Sequence, residues 1–180
     1  MNTVGATADP FATLGMPRRY RLDMTSLETR YRELQKALHP DKHAAASASE
    51  RRMSLLKAVE VNDAYRVLKD ELRRAEALLA LHGNRAGEHG PADPDFLQQM
   101  LELREALDEA KATRDPQQVE RLVAEVAPLQ ARAEAELEAA FDALAHGPDA
   151  EPVNTAARLI GRLKYYRRFR DEVAAIEEGG

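Results

Sequence analysis

His39, Pro40 and Asp41 stand directly after one amphipathic segment and ahead of a second. The proline fixes its own φ and biases His39 away from helix, so the tripeptide forms a presented corner between two packed helices. His39 brings a neutral or charged ring, and Asp41 brings an acceptor. Together they can engage backbone or guanidinium groups on a partner. A plain helix-ending turn would also use Pro and Asp, but a given tripeptide of these types is expected only about once in a hundred chains of this length. Lys42 follows at once. On the preceding segment Arg32 and Lys36 lie four residues apart, roughly opposite its apolar stripe, with Arg30 nearer the stripe's edge. Elsewhere such a pair reads as an ordinary solvated face. Beside His39-Pro40-Asp41-Lys42 it reads as part of a docking surface.

Other chemistries fit these residues less well. His39, Asp41 and His43 alternate, but alternate residues across a proline turn do not converge as an i, i+4 histidine pair on a helix does, so no metal ligand set is predicted. There is no nucleophile elbow, no phosphate-cradling glycine loop and no partnered carboxylate pair, which points to a binding protein and not an enzyme. With no cysteine, thiol catalysis, disulfides and Cys-based cluster ligation are excluded. No cofactor is expected.

The 180 residues carry a net charge of −5, which disfavours binding to a phosphate backbone, and no apolar run is long enough to span a bilayer. Met1 to Pro10 contains neither Lys nor Arg and no apolar block, so no leader is visible and a cytoplasmic protein is expected. Ala, Leu, Glu and Arg are abundant, β-branched residues are sparse, and no segment alternates with a period of two. The fold class is all-α.

Two helical modules are predicted, 1–83 and 84–180, separated where Gly83, Gly87, Gly90, Pro91 and Pro94 break the pattern. In the first, Leu27, Tyr31, Leu34 and Leu38 share one helical face, with Thr25 and Glu28 as a capping box ahead of it. Val61, Ala64, Tyr65 and Leu68 form the facing stripe of an antiparallel hairpin, and a further helix over 72–81 stops at Gly83. In the second, Asp93-Pro94 and Asp115-Pro116 open two helices, Pro128 should bend or interrupt the second of them, and a third begins near Asn154 and runs to about Glu178. Three amphipathic helices on short connections predict a three-helix bundle.

On the helix after Asp93, Phe96, Met100, Leu103, Leu107 and Ala110 make the core stripe. Leu97 and Leu101 lie ~100 to 140° away from it, one turn apart, as a small apolar patch on a strip shared with Asp108 and bordered by Glu105. By itself such a pair could equally widen the core. In the last helix Leu159, Leu163, Tyr166 and Val173 form the core face, while Tyr165 sits ~120° off it.

Helix, His-Pro-Asp loop and helix together resemble a J-domain, the module that drives ATP hydrolysis by a DnaK-type chaperone. The rest of the chain narrows the resemblance. There is no Gly/Phe-rich linker and no cysteine zinc region. Asp9-Pro10-Phe11, Leu14-Gly15, Tyr20, Leu22-Asp23, Arg74-Ala75-Glu76, Leu78-Leu79-Ala80-Leu81-His82-Gly83, Phe96-Leu97 and Leu101-Glu102-Leu103-Arg104-Glu105 resemble the HscB family of iron-sulfur co-chaperones. The likeness runs from about Pro10 to Glu178 and is mostly helical pattern beyond Asp115. Asp70-Glu71 stands where the family often has a proline, Ala77 where an aromatic is expected, and the cysteine motif of some eukaryotic relatives is missing. The resemblance implies an L-shaped protein whose C-terminal bundle binds an IscU-type scaffold and whose J-domain brings it to an HscA-type chaperone, as a monomer or weak dimer. The family's scaffold-binding positions match Leu97, Leu101 and Tyr165, with Gln98 where some members carry an apolar residue. Glu102 and Glu105 would supply an acidic rim. A J-protein with another client, and a static helical adaptor without chaperone coupling, are the competing readings.

Overall fold

The computed structural model describes residues 9–39, 47–84, 93–144 and 150–178, which form seven helices and, among the described residues, no strand. The chain divides into two compact units, Met1–Gly83 and Asn84–Gly180.

The first unit opens with α1 (Pro10–Leu14), a single turn made by its ends. The Asp9 carboxylate accepts from the N–H groups of Phe11 and Ala12, Pro10 needs no donor in the first turn, and Gly15 closes the turn at φ +64°, a region that favours glycine. Phe11 and Leu14 are fully buried against α3 (Ala48–Lys69). The long hairpin is α2 (Met24–Ala37) and α3. Its first cap differs from the predicted one: Asp23 precedes α2 and accepts from the Thr25 N–H and the Ser26 hydroxyl. Thr25 is therefore already inside the helix, and the Glu28 carboxylate accepts from Arg32 instead of closing a box. Asp outranks Thr as an N-cap, which decides between the two starts. A true capping box does occur, at Ser47 and Glu50 ahead of α3.

Contacts between α2 and α3 run in opposite chain directions, as an antiparallel pair requires. Tyr31 stacks on Tyr65 with ring centroids 4.0 Å apart, its hydroxyl donates to Asn62 Oδ1 at 2.9 Å, and the Gln35 amide also reaches Asn62. Further along, the Ser54 hydroxyl donates to the Leu38 carbonyl at 3.2 Å. Leu27, Val61, Ala64 and Leu68 fill the space between. α4 (Glu71–Leu81) follows after one residue, Asp70, whose side chain accepts from the Arg73 N–H. Asp70 thus does by capping what a proline does by stiffness: it ends one helix and starts the next. Gly83, at φ +85°, closes the unit as expected of a glycine stop.

Arg74 on α4 is 4% exposed, and its guanidinium donates to the carbonyls of Tyr20 at 2.8 Å and Leu68 at 2.6 Å. Burial pulls its pKa below the usual guanidinium value, against the raising influence of Glu71, Tyr20 and Asp70. One side chain ties the chain ahead of α2, the end of α3 and α4 together.

The second unit is α5 (Pro94–Thr113), α6 (Pro116–Leu144) and α7 (Ala150–Glu178). Asp93 and Asp115 cap as predicted, with Arg114 in the left-handed region at φ 53° between α5 and α6. Phe96, Leu103, Leu107 and Ala110 on α5, Leu122, Val126, Leu137 and Phe141 on α6, and Leu159, Leu163, Tyr166 and Val173 on α7 are buried together. α6 continues as one helix through Pro128, so the proline does not interrupt it: Pro128 and Ala124, whose carbonyl loses its helical donor there, face solvent where water can serve it. One expectation is corrected. α7 starts at Ala150 and not near Asn154, because Pro152 falls in its first turn, where the missing N–H costs nothing. No helix among the described residues is long and apolar enough to cross a membrane.

Candidate functional site

Two surfaces hold the residues singled out in the sequence. The first is the end of α2. Leu38 caps it, its N–H donating to the Leu34 carbonyl at 3.0 Å while its own carbonyl accepts from Ser54. The chain leaves the helix at Leu38 in a conformation pinned from both sides, and His39 follows exposed. Pro40, Asp41, Lys42 and His43 lie outside the described residues. Arg32 and Lys36 are exposed on the face away from α3, with Arg32 in an ion pair with Glu28. Arg30 behaves differently: its Nε donates to the Leu14 carbonyl at 3.3 Å, its guanidinium lies 3.5 Å from where a Gly15 Cβ would stand, and its NH1 pairs with Glu33 at 3.2 Å. Part of its function is therefore to fasten α2 to α1. Ser54 carries no periodic signal in the sequence; only the structure shows that it holds the residue before His39.

The second surface lies on the bundle. Leu97 is 40%, Leu101 52% and Tyr165 40% exposed, although large apolar side chains in this unit are otherwise mostly buried. They line one shallow groove of about 220 Å³ between α5 and α7, together with Met100, Phe169 and the charged residues Arg104, Arg168 and Glu172. Residues 64 or more positions apart in sequence thus share one patch. Tyr165 is held there by an edge-to-face contact with buried Phe96, ring centroids 5.6 Å apart, while the same Phe96 edge-packs on Tyr166 at 5.8 Å. The core ring thereby sets the position of the surface ring. Arg168 stands 5.9 Å from the Tyr165 ring centroid. Met100, assigned to the core stripe by periodicity, is half-buried and forms part of the groove's wall.

Glu102 and Glu105 are exposed on α5. Glu102 accepts from Gln98 at 2.8 Å and lines a separate, more polar cavity of about 630 Å³ with Asp93, Asp95, Arg132, Glu136 and Arg162. Arg162 closes that side by pairing with the α5 cap Asp93 at 2.7 Å and covering the Phe96 ring at 5.0 Å. Arg104, Arg168 and Glu172 went unnoticed in the sequence. The signal was available: Arg168 follows Tyr165 by one turn, and Arg104 follows Leu101 and Leu97 at spacings of three and seven.

Among the described residues no group of His, Asp or Glu could hold a metal ion. Burial in the bundle raises the Tyr166 phenol above the usual value, more than the nearby Arg162 cation lowers it.

The comparisons with known proteins follow the same division. The DnaJ domain family matches residues 9–77, and the HSCB C-terminal oligomerisation domain matches residues 92–174. The co-chaperone protein HscB homologue of Vibrio cholerae serotype O1 is 38% identical over 176 residues, covering 93% of this chain and 96% of its own. That of Vibrio atlanticus is 34% identical over 170 residues with the same coverage. Among solved structures, the chaperone HscB from Vibrio cholerae superposes with a TM-score of 0.78 at 34% identity, over 94% of this chain and 98% of that one. The human co-chaperone HscB shares the fold, with a TM-score of 0.79 at 24% identity over 97% of this chain and 83% of that one. An exposed histidine at the end of a capped hairpin helix, an apolar groove on a three-helix bundle and relatives matching both units over nearly their whole length lead to one assignment: the chain belongs to the HscB family of co-chaperones.

Proposed function

We propose that this chain carries an IscU-type iron-sulfur scaffold protein to an HscA/DnaK-type chaperone and stimulates that chaperone's ATPase, so assisting cluster transfer. ATP is hydrolysed in the chaperone, and the chain itself acts by binding, without a cofactor, in the cytoplasm. His39, Pro40, Asp41 and Lys42 meet the chaperone together with the basic face of Arg32 and Lys36. Arg30 contributes from the edge of that face. The scaffold seats on Leu97, Leu101 and Tyr165, with Glu102 and Glu105 on the outer border of α5.

The observation that carries this reading is the pairing of an exposed His39, held at the end of a fixed hairpin, with three exposed apolar side chains gathered in one groove of the other unit. A protein that only bridges partners needs the groove and not the histidine corner. The test is the ATPase rate of an HscA-type chaperone, with an IscU-type scaffold present, on adding the wild type or His39→Gln. Stimulation by the wild type and none by the variant, with equal thermal midpoints, is expected. Equal stimulation by both would remove the J-domain role. If neither stimulates a competent chaperone, the static adaptor is the better reading. Stimulation without scaffold binding would mean that the client is another protein.

A further inference from the structure

The groove is apolar at its centre but not neutral at its edge. Arg104 and Arg168 line it from the two helices that form it, and Glu172 is the only carboxylate among its lining residues. Both arginines are exposed, and among the described residues neither has an ion pair, whereas Arg18, Arg30, Arg32, Arg66, Arg74, Arg132 and Arg162 do. Arg168 is held toward the patch by its contact with the Tyr165 ring. At ~100° per residue, Arg104 lies ~20° to the α7 side of Leu97, while Glu105 lies ~80° and Glu102 ~140° to the other side. A segment lying over Leu97 and Leu101 therefore meets Arg104 and Arg168, with Glu172, on its α7 side and Glu105 on the other, while Asp108 continues the strip toward the end of α5 and Glu102 faces the separate cavity.

We propose that Arg104 and Arg168 are specificity determinants of this groove, selecting an apolar partner segment that carries a carboxylate and orienting that carboxylate toward α7. This rests on the reading that the groove seats the scaffold. The chemistry favours it for three reasons. Guanidinium groups bind carboxylates through paired N–H donors. Covering the groove with an apolar segment partly desolvates both cations, so leaving them unpaired is unfavourable and a facing acid is selected. Opposite charges on the two borders penalise the reversed orientation by placing like charges together. Glu172 offsets one of the two cations, which leaves the α7 border with a net positive charge.

The test is the affinity of an IscU-type scaffold for the full chain at low (about 0.05 M) and high (about 0.5 M) salt. Wild type is compared with Arg104→Glu, Arg168→Glu, Arg168→Lys and Leu101→Ala. Reversal at either arginine should weaken binding about tenfold at low salt, and the loss should shrink at high salt. Arg168→Lys should weaken binding by less than Arg168→Glu does, about threefold, because the charge is kept while the paired donors and the ring contact are lost. Leu101→Ala should weaken binding to a similar degree at both salt concentrations, since burial of apolar surface is not screened. Unchanged or tighter binding by both reversals, with Leu101→Ala still weakened, would overturn the proposal and leave the groove intact. If Leu101→Ala and both reversals are all silent, the groove is not the scaffold's seat and both readings fall.

Discussion

The α2–α3 hairpin and the α5–α7 pair are both two-helix contacts that present a binding surface, but they are held by different means. The hairpin depends on specific polar links: Tyr31 and Gln35 on Asn62, Ser54 on the Leu38 carbonyl, and Arg74 on the carbonyls of Tyr20 and Leu68. The bundle depends on continuous apolar stripes, with one aromatic, Phe96, reaching from the core to the surface ring of Tyr165. Directional bonds fix a register, which a corner such as His39 needs because its effect depends on where one imidazole stands. Apolar stripes give a solid wall, which suffices for a groove whose partner is bound by area. The lesson is that the two surfaces should fail differently.

The largest expected effect breaks the polar side of this comparison. Arg74→Met keeps much of the side-chain volume but leaves the Tyr20 and Leu68 carbonyls buried without donors, so the first unit should lose about 3 kcal/mol. Urea unfolding followed by a probe in each unit would show it, with the first unit's transition moving and the second's staying. A shift below about 0.5 kcal/mol would mean that the guanidinium is replaceable by packing. The next effect sharpens the apolar side. Leu97→Ala, Leu101→Ala and Tyr165→Ala should each weaken scaffold binding by about 1 to 3 kcal/mol. They should scarcely alter stability, because these side chains are 40 to 52% exposed. Stimulation of the chaperone without scaffold should stay at the wild-type level, since His39 is untouched. Equal affinity in all three variants would put the seat elsewhere.

The two surfaces were also unequally legible in the sequence. Six of the seven described helices, the Asp93, Asp115 and Gly83 punctuation and most of the core stripes could be read from period and caps alone, because apolar burial is what sets the period; the single turn of α1 is too short to show one. Leu97, Leu101 and Tyr165 stood out as departures from that period, and the structure places all three in one groove. The α2 start was misread at Thr25 because Asp23, a stronger cap, stood two residues earlier and a capping-box pattern hid it. That α6 would continue past Pro128 was not legible, because sequence alone does not tell which face of a long helix meets water. Ser54 and Arg74 had no local signature, because the Leu38 carbonyl lies 16 residues from Ser54 and the Tyr20 carbonyl 54 from Arg74, and only folding brings them together.

The smallest effect concerns pH and isolates the bundle's core. Tyr166 lies against Phe96, and burial raises its phenol above the usual value of about 10. The sign follows from linkage: the folded state holds the proton more tightly than the unfolded chain does. The resulting stability is complete below the unfolded value and is lost as pH rises through the raised folded one. The second unit should therefore weaken above about pH 10, when Tyr166 must ionise inside the core. Tyr166→Phe keeps the edge-to-face ring contact and removes the proton. The variant should match the wild type within about 1 kcal/mol at neutral pH and lose less stability in alkali. The diagnostic quantity is the difference between the two unfolding midpoints from about pH 8 to pH 11. Parallel curves would show that the phenol reaches water in the folded bundle, and a widening gap in the variant's favour would show that the core around Phe96 stays closed to it.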